Sequence, residues 1–252
     1  MNYNKFIEPW NKNAEARYDQ IISGKDISLS NILIPEILDL INSLGDTRTF
    51  DVLDVGCGVG VLTVVVSKKV RSVLGIDPSI ASIEKANQFK MRHEATNTNF
   101  EPVSIEKYAE EPNTFDLVIA HMTLHTIEKL LPALISIRKC MKQNGKFLFS
   151  IPHPCFYLED KDIVSKTDFQ YSVSNFYEIE FTISKDRRPL ESLTPFFHRP
   201  LEVYSTSLFK AGFVIEKILE PMPQKAKTRK KYSIPREKPH FFVALCSTVV
   251  RD

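Results

Sequence analysis

The sequence predicts a single α/β domain built on a doubly wound, mostly parallel sheet. Three observations predict it. From Phe50 to Ile151, short apolar and β-branched runs alternate with helical periodicity, and that alternation demands parallel strands joined by right-handed crossovers. The first run ends in a crowd of glycines, as the opening of a nucleotide-binding βαβ unit does. With 252 residues and 43% apolar composition, the chain can fill one good core and carry a modest insertion.

Composition excludes several classes of function. A net charge of +2 leaves no global field to draw the chain onto nucleic acid or an acidic membrane, so neither is an expected partner. No apolar run approaches about 18 residues, and the opening MNYNKFIEPWNKNAEARYDQ is too polar for a secretory leader. A cytoplasmic location is expected. Cys57, Cys140, Cys155 and Cys246 are scattered without a close pair, which argues against a disulfide framework or a zinc site, and no metal is expected.

The elements follow in order. Residues 1–45 hold the only tryptophan, Trp10, and two apolar segments split by Gly24, followed by helical spacing over Ile32 to Leu44. They read as a helical cap that packs beside the sheet and closes over a ligand. Phe50, Val52, Leu53 and Val55 make the first buried strand. Gly56, Gly58 and Gly60 follow, three of the chain's 8 glycines within five residues. Glycine costs conformational entropy and packs nothing, so crowding it is useful only where the backbone takes positive φ or another molecule touches it. A pyrophosphate-binding turn would read Gly-x-Gly-x-x-Gly; here the third glycine comes one residue early and Val61 stands at the later position, so a dinucleotide is the weaker choice.

A helix over Val61 to Lys69 leads to a strand, Ser72 to Ile76, that ends in Asp77, 17 residues after Gly60. A carboxylate there can accept both hydroxyls of a ribose. The combination suits a nucleoside that carries an amino acid in place of phosphates. Pro78 to Glu94 reads as an amphipathic helix with Ile80, Ile83 and Ala86 spaced by three, and a third strand is expected near Thr98 to Val103. The fourth strand is Phe115 to Ala120. A helix then runs through Leu130, Leu134, Ile137 and Met141 until Asn144-Gly145 stops it, and Lys146 to Ile151 is the fifth strand.

From Pro152 to Pro200 the alternation breaks down into an aromatic-rich insertion, with a strand expected over Glu178 to Ile183. Placed after strand five, it either walls in a substrate above the crevice or packs as a satellite cluster. Leu201 to Ala211 is a helix between Pro200 and Gly212, and Phe213 to Leu219 and Phe241 to Val249 are strands. The basic stretch at 225–238 reads as a solvated hairpin loop, since only Tyr232 accompanies its charge as an aromatic platform.

VLDVGCGVG, GIDPS and FDLVIAHMTLHTIEKL resemble the nucleotide-site motifs of class I S-adenosylmethionine-dependent methyltransferases. YLED and FFHRPLEVYSTSLFKAGFVIEKILEP resemble the small-molecule, type 11-like subgroup, and the likeness runs from about Ile34 to Leu245. The resemblance implies a Rossmann-like sheet of seven strands in the order 3-2-1-4-5-7-6. It also implies S-adenosyl-L-methionine as cofactor, S-adenosyl-L-homocysteine as product, and a small-molecule acceptor methylated on O, N or C. Carried onto this chain, the cofactor contacts are Asp54, Gly56, Cys57, Gly58 and Gly60 in the turn, Asp77 and Pro78 after strand two, and Ala120, His121 and Met122 after strand four. After strand three the family places an acid that meets the adenine; this chain has Ser104, followed by Ile105, with Glu106 as the alternative. Tyr18 is the N-terminal aromatic carried over to the methionine end; the alternative is that Tyr18 and Trp10 are packing residues.

Methyl transfer from a sulfonium is an in-line displacement with an excellent leaving group, so the protein's task is to align the nucleophile and exclude water. A base is needed only when the acceptor must lose a proton. His153, between two prolines in IPHPCF, is the first candidate for base or substrate positioning, and His198, in FFHRPLE at the opening of the helix, is the second. Either can instead bond a carbonyl at a loop corner. His125 reads as structural, and Cys57 as a small residue in the turn. Arg187, Arg188 and Arg199 read as solvated surface, with binding of a substrate carboxylate or phosphate as the alternative. The alternatives are an RNA methyltransferase using the basic 225–238 loop, or a cofactor-binding protein without transferase activity.

Overall fold

The computed structural model describes residues 4–108, 112, 114–160, 169–183, 185, 190–223 and 238–249. Helix α1 (Asn4–Ile22) is followed by a π-helical turn, Leu29–Leu33, that runs directly into α2 (Ile34–Asn42). Then come β1 (Asp51–Val55), α3 (Val61–Ser67), β2 (Ser72–Ile76), α4 (Ile80–Arg92), β3 (Thr98–Glu101), α5 (Ile105–Tyr108), β4 (Phe115–His121), α6 (Leu130–Cys140) and β5 (Met141–Pro152). The insertion holds α7 (Tyr157–Asp160), β6 (Asn175–Ile179) and β7 (Thr194–His198), and α8 (Leu201–Lys210), β8 (Phe213–Leu219) and β9 (Phe241–Thr248) complete the described chain.

The main sheet runs β3-β2-β1-β4-β5-β9-β8, with β6 and β7 forming a separate two-stranded sheet. Numbered without those two, the order is 3-2-1-4-5-7-6. β1 to β5 pair in parallel, and β9 runs antiparallel to both β5 and β8. Strand order reverses between β1 and β4, which opens a crevice at their carboxyl ends.

Both faces of the sheet are covered, so its strands are apolar on both sides. Leu53, Val55, Val118, Phe147 and Phe149 pack with α6 and α8 residues on one face. Val52, Leu117, Ile119, Leu148 and Val243 pack with Ile37, Leu40 and Leu62 on the other. In α4, Ile83, Ala86 and Phe89 are buried, whereas Ile80, the first residue of the helix, is 60% exposed. Ser79 caps that helix by accepting the Ser82 N–H at 3.1 Å. Among the described residues no helix is long and apolar enough to cross a membrane.

Three expectations are corrected. Helix α6 ends at Cys140, and Met141 already pairs with Phe115, with a bulge between Phe115 and Leu117. Gly145 lies inside β5, where an added Cβ would crowd the Phe115 and Lys142 carbonyls at 3.1 Å, so glycine serves backbone approach at a bulge rather than a helix stop. The insertion strand is Asn175–Ile179, not Glu178 to Ile183, because its register is set by β7: Phe176 faces Phe197 and Tyr177 faces Phe196. His198 consequently ends a strand instead of opening α8. The basic stretch at 225–237, with Arg187 and Arg188, lies outside the described residues.

Candidate active site

A cavity of about 540 Å³ occupies the crevice at the carboxyl ends of β1, β2 and β4, roofed by α1 and the insertion. Its floor is the turn from Gly56 to Gly58. Gly56, Gly58 and Gly60 all have positive φ, but their surroundings differ. An added Cβ on Gly56 would overlap the Thr123 side chain, and one on Gly60 would stand 2.7 Å from Phe100 and 2.8 Å from Ala86. These two glycines permit close packing. A Cβ on Gly58 would meet no protein atom within 4 Å; that backbone is bare toward the cavity.

Asp77, at the end of β2, accepts the Gly58 N–H at 3.0 Å and the Ser79 N–H at 2.8 Å. It lines the cavity and is partly accessible, and desolvation by the surrounding protein pushes its carboxyl up to about 6, against the pull of its two N–H partners. Asp54 sits one layer down, 2% exposed, with the Thr63 hydroxyl donating to it at 2.6 Å. Burial, with a contribution from the Asp77 charge, raises it to about 7. Burial also pushes the Cys57 thiol well above its usual range, which leaves it protonated and unreactive. Pro78, Ser104, Ile105 and Glu106 complete this end of the cavity.

Past the turn, His121 ends β4 and Met122 follows it. The His121 Nδ1 lies 2.7 Å from the Ser150 hydroxyl, which also receives the Met122 N–H at 3.2 Å. Burial lowers His121 to about 4, with Asp26 opposing that shift and Arg17 adding to it. Met122 has φ +52, a strained conformation for a non-glycine residue of the kind that clusters at functional sites. Its N–H is fixed by the Ser150 carbonyl at 2.9 Å.

The far wall is aromatic. Trp10 meets Phe181 edge-on at 6.3 Å, and the Arg17 guanidinium lies over the Phe181 ring at 4.4 Å. Arg17 donates to Asp26 at 3.0 Å and to Gln20 at 2.7 Å, and Asp26 also accepts the Leu29 N–H. Helix α1 is clamped from two sides. Asn11 Oδ1 accepts from the Ser79 hydroxyl and the Ala81 N–H, while Asn13 exchanges two hydrogen bonds with the Ser192 backbone. Arg199, 7% exposed, donates to the carbonyls of Leu124, Ile127 and Glu128 and so ties the insertion to the turn after β4. It is a buried structural cation rather than solvated surface.

Of the residues expected at the site, Gly56, Cys57, Gly58, Asp77, Pro78, Ser104, Ile105, His121 and Met122 line the cavity. Asp54, Gly60 and Ala120 lie beneath it. Tyr18 does not reach it: the ring packs on Phe89 at 6.4 Å, because the cavity face of α1 is the stripe Trp10, Ala14, Arg17 and Ile21. His153 and His198 are also placed elsewhere. The His153 Nε2 meets Glu220 at 2.7 Å, its Nδ1 accepts the Cys155 N–H, and its ring stacks on Phe156. The His198 Nε2 donates to the Tyr171 carbonyl at 2.9 Å, and burial lowers its pKa. Both are 2% exposed and neither lines the cavity. Phe181 belongs to the aromatic insertion expected above the crevice, whereas Arg17 and Asp26 carried no expectation for the site; the helical stripe from Trp10 was the available signal for Arg17.

A glycine-floored crevice at the switch point of a 3-2-1-4-5-7-6 sheet, with an acid at the end of β2, defines a nucleoside-dependent enzyme of the doubly wound α/β class. The particular family follows from comparison with known proteins: the pattern of the methyltransferase domain matches residues 46–186, and the protein belongs to that family. An uncharacterised methyltransferase of Schizosaccharomyces pombe is 33% identical over 106 residues, which cover 39% of this chain and 38% of the relative. The chain thus spans less than half of that relative's length. A ubiquinone biosynthesis O-methyltransferase of Neisseria meningitidis is 33% identical over 121 residues, 46% of this chain and 50% of the relative. Among solved structures, an S-adenosylmethionine-dependent methyltransferase of Listeria monocytogenes, described as putative, superposes with TM-score 0.65 at 23% identity, covering 84% of this chain and 97% of that one. The 1,6-didemethyltoxoflavin-N1-methyltransferase of Burkholderia thailandensis, with S-adenosylhomocysteine bound, gives 0.61 at 14% identity, covering 94% and 87%. The fold is that of the class I methyltransferases.

Proposed function

We propose that the protein transfers a methyl group from S-adenosylmethionine to an O, N or C atom of a small, ring-containing metabolite and releases S-adenosylhomocysteine. The observation that carries this reading is one cavity with two unlike halves. One half offers bare backbone at Gly58 and the Asp77 carboxylate; the other is walled by Trp10 and Phe181. The residues fit the cofactor because Gly58 leaves open space where any side chain would intrude. The bound cofactor supplies an activated methyl group on sulfur.

The chain's own residues do the rest. Asp77 accepts the ribose hydroxyls, Ser104 and Ile105 meet the adenine, and the backbone of Gly56, His121 and Met122 holds the amino-acid end. Asp54 holds the turn from below through Thr63. Residues 1–45 act as a cap and 152–200 as a lid, together excluding water from the acceptor. The ubiquinone and toxoflavin enzymes among the similar proteins support a small acceptor. A relative in Mycoplasma mobile carries the name of an uncharacterised RNA methyltransferase, 28% identical over 162 residues, which keeps RNA as the second reading.

The test is calorimetric titration with S-adenosylhomocysteine, then incubation of the protein with deuteromethyl-labelled S-adenosylmethionine and a metabolite extract. Saturable binding and a deuterium-shifted small product are expected. Failure to bind, or retention of a phosphate-bearing nucleotide instead, overturns the reading; label appearing in RNA with steeply salt-dependent binding selects the second one.

A further inference from the structure

We propose that the His121 side chain is the hydrogen-bond donor that receives the acceptor's nucleophilic oxygen, so that the site takes a ring compound presenting an oxyanion, a phenolate or enolate, in preference to an amine. This rests on the reading of the cavity as a methyl-transfer site.

The argument begins at Ser150. Its hydroxyl is fully buried on β5, directly opposite His121 in the β4–β5 register. A hydroxyl has one proton to give and two lone pairs to offer. Ser150 Oγ already accepts the Met122 N–H at 3.2 Å, and among the described residues the acceptor within reach of its proton is the His121 Nδ1, at 2.7 Å. Nδ1 therefore accepts. Burial holds the ring uncharged, and a neutral imidazole carries its single proton on the other nitrogen. His121 lines the cavity with Nε2 as its remaining polar atom, and that atom is a donor.

The surroundings favour the same sign. Arg17, whose charge acts on His121, spends one N–H of each Nη on Gln20 and Asp26 and keeps further N–H groups on a guanidinium that lines the cavity. Asp26 is occupied by Arg17 and the Leu29 N–H. His125, the other titratable group coupled to His121, is buried and neutral, with burial lowering it to about 3. His153 has both ring nitrogens, and His198 its Nε2, committed outside the cavity.

A donor at this position sorts nucleophiles by lone pairs. An amine has one, and a hydrogen bond from Nε2–H would consume the pair that must attack. An oxyanion has three, so it accepts the N–H and still attacks. The balance then closes without a base: the oxygen's pair forms the new C–O bond, the C–S bond breaks with its pair left on sulfur, and no proton is released.

The test uses the full chain saturated with S-adenosylhomocysteine and 4-nitrophenol as the probe, its ionisation read by absorbance. Bound 4-nitrophenol is expected to ionise at lower pH than free probe, by about one pH unit or tenfold in its ionisation constant. His121→Gln, which keeps an N–H donor, retains the shift; His121→Leu, checked for folding by circular dichroism and for S-adenosylhomocysteine binding by calorimetry, loses it. An upward shift on binding, or a downward shift that survives in His121→Leu, overturns the proposal. So does a shift that vanishes only in Arg17→Gln, which would assign the oxyanion to Arg17. Wild-type protein that binds S-adenosylhomocysteine but does not shift the probe defeats this inference alone; wild-type protein that binds no S-adenosylhomocysteine defeats the methyl-transfer reading itself.

Discussion

At the residue scale, the turn after β1 combines freedom and cost. Gly58 at φ +54 faces open space, so valine there strains the backbone by about 1–3 kcal/mol and places a branched side chain where the cofactor is proposed to lie. Gly58→Val is expected to abolish S-adenosylhomocysteine binding in a calorimeter while far-UV dichroism stays near native. Beneath it, Asp54 and Asp77 have folded pKa values raised to about 7 and about 6 from 3.8. An acid whose native pKa exceeds its unfolded value holds its proton more tightly when folded, so the penalty is absent near pH 4 and grows by about 1.4 kcal/mol per unit, levelling off at about pH 6 for Asp77 and about pH 7 for Asp54. Asp54→Asn is therefore expected to raise the urea midpoint of the ligand-free protein at pH 7.5, with the gain shrinking to nothing toward pH 4. A gain that is the same at both pH values would show that Asp54 is not buried as a strained carboxylate.

At the element scale, α1 and the insertion are fastened over the cavity by different kinds of bond. The insertion is fastened by the three carbonyl bonds of Arg199, a charge-assisted set. Helix α1 is held by the Arg17–Asp26 and Glu15–Lys85 ion pairs and, next to the cavity, by Asn11 at the Ser79 turn beside Asp77 and Asn13 at the Ser192 backbone. Neutral hydrogen bonds of this kind contribute about 1 kcal/mol each. Asn11→Ala combined with Asn13→Ala should speed S-adenosylhomocysteine release by at least tenfold in stopped-flow fluorescence, with little change in the urea midpoint. A loss of stability without faster release would place the clamp in the fold and not in the gate. The aromatic wall was legible as composition, but the register that turns Phe176 toward Phe197 and leaves Phe181 over Arg17 was not. Strand β7 escaped notice because Thr-Pro-Phe-Phe-His reads as an approach to the next helix, and its edge position is what tolerates Pro195.

At the scale of the whole molecule, ligand and fold are linked. A ligand that binds the native state alone stabilises it by about 2.7 kcal/mol at a hundredfold excess over its dissociation constant. A clear rise in melting temperature with S-adenosylhomocysteine is expected for the wild type. Asp77→Ala, which removes a charged partner of the ribose worth about 1.5–3 kcal/mol, should show the same rise only at tenfold or greater ligand concentration. Identical curves for the two proteins would remove Asp77 from the cofactor site.

The sequence by itself determined the alternating sheet and its glycine turn, with the acid seated after β2, since each is written in neighbouring residues: apolar periodicity, a cluster of small residues, a carboxylate at a strand end. It also marked His121 and Met122 as the end of β4. Only the tertiary structure decided which histidine meets the cavity. The His121–Ser150 pair spans 29 residues and depends on the β4–β5 register. Arg17 meets Asp26 through the fold of α1 back over the π-helical turn, and Tyr18, one position away, is turned onto Phe89 instead. His153 and His198, promising beside prolines and an arginine, were claimed by Glu220 and the Tyr171 carbonyl. Local periodicity reveals elements because helix and strand repeat their buried positions about every 3.6 and 2 residues; partners between elements follow from packing, which no short stretch of chain contains.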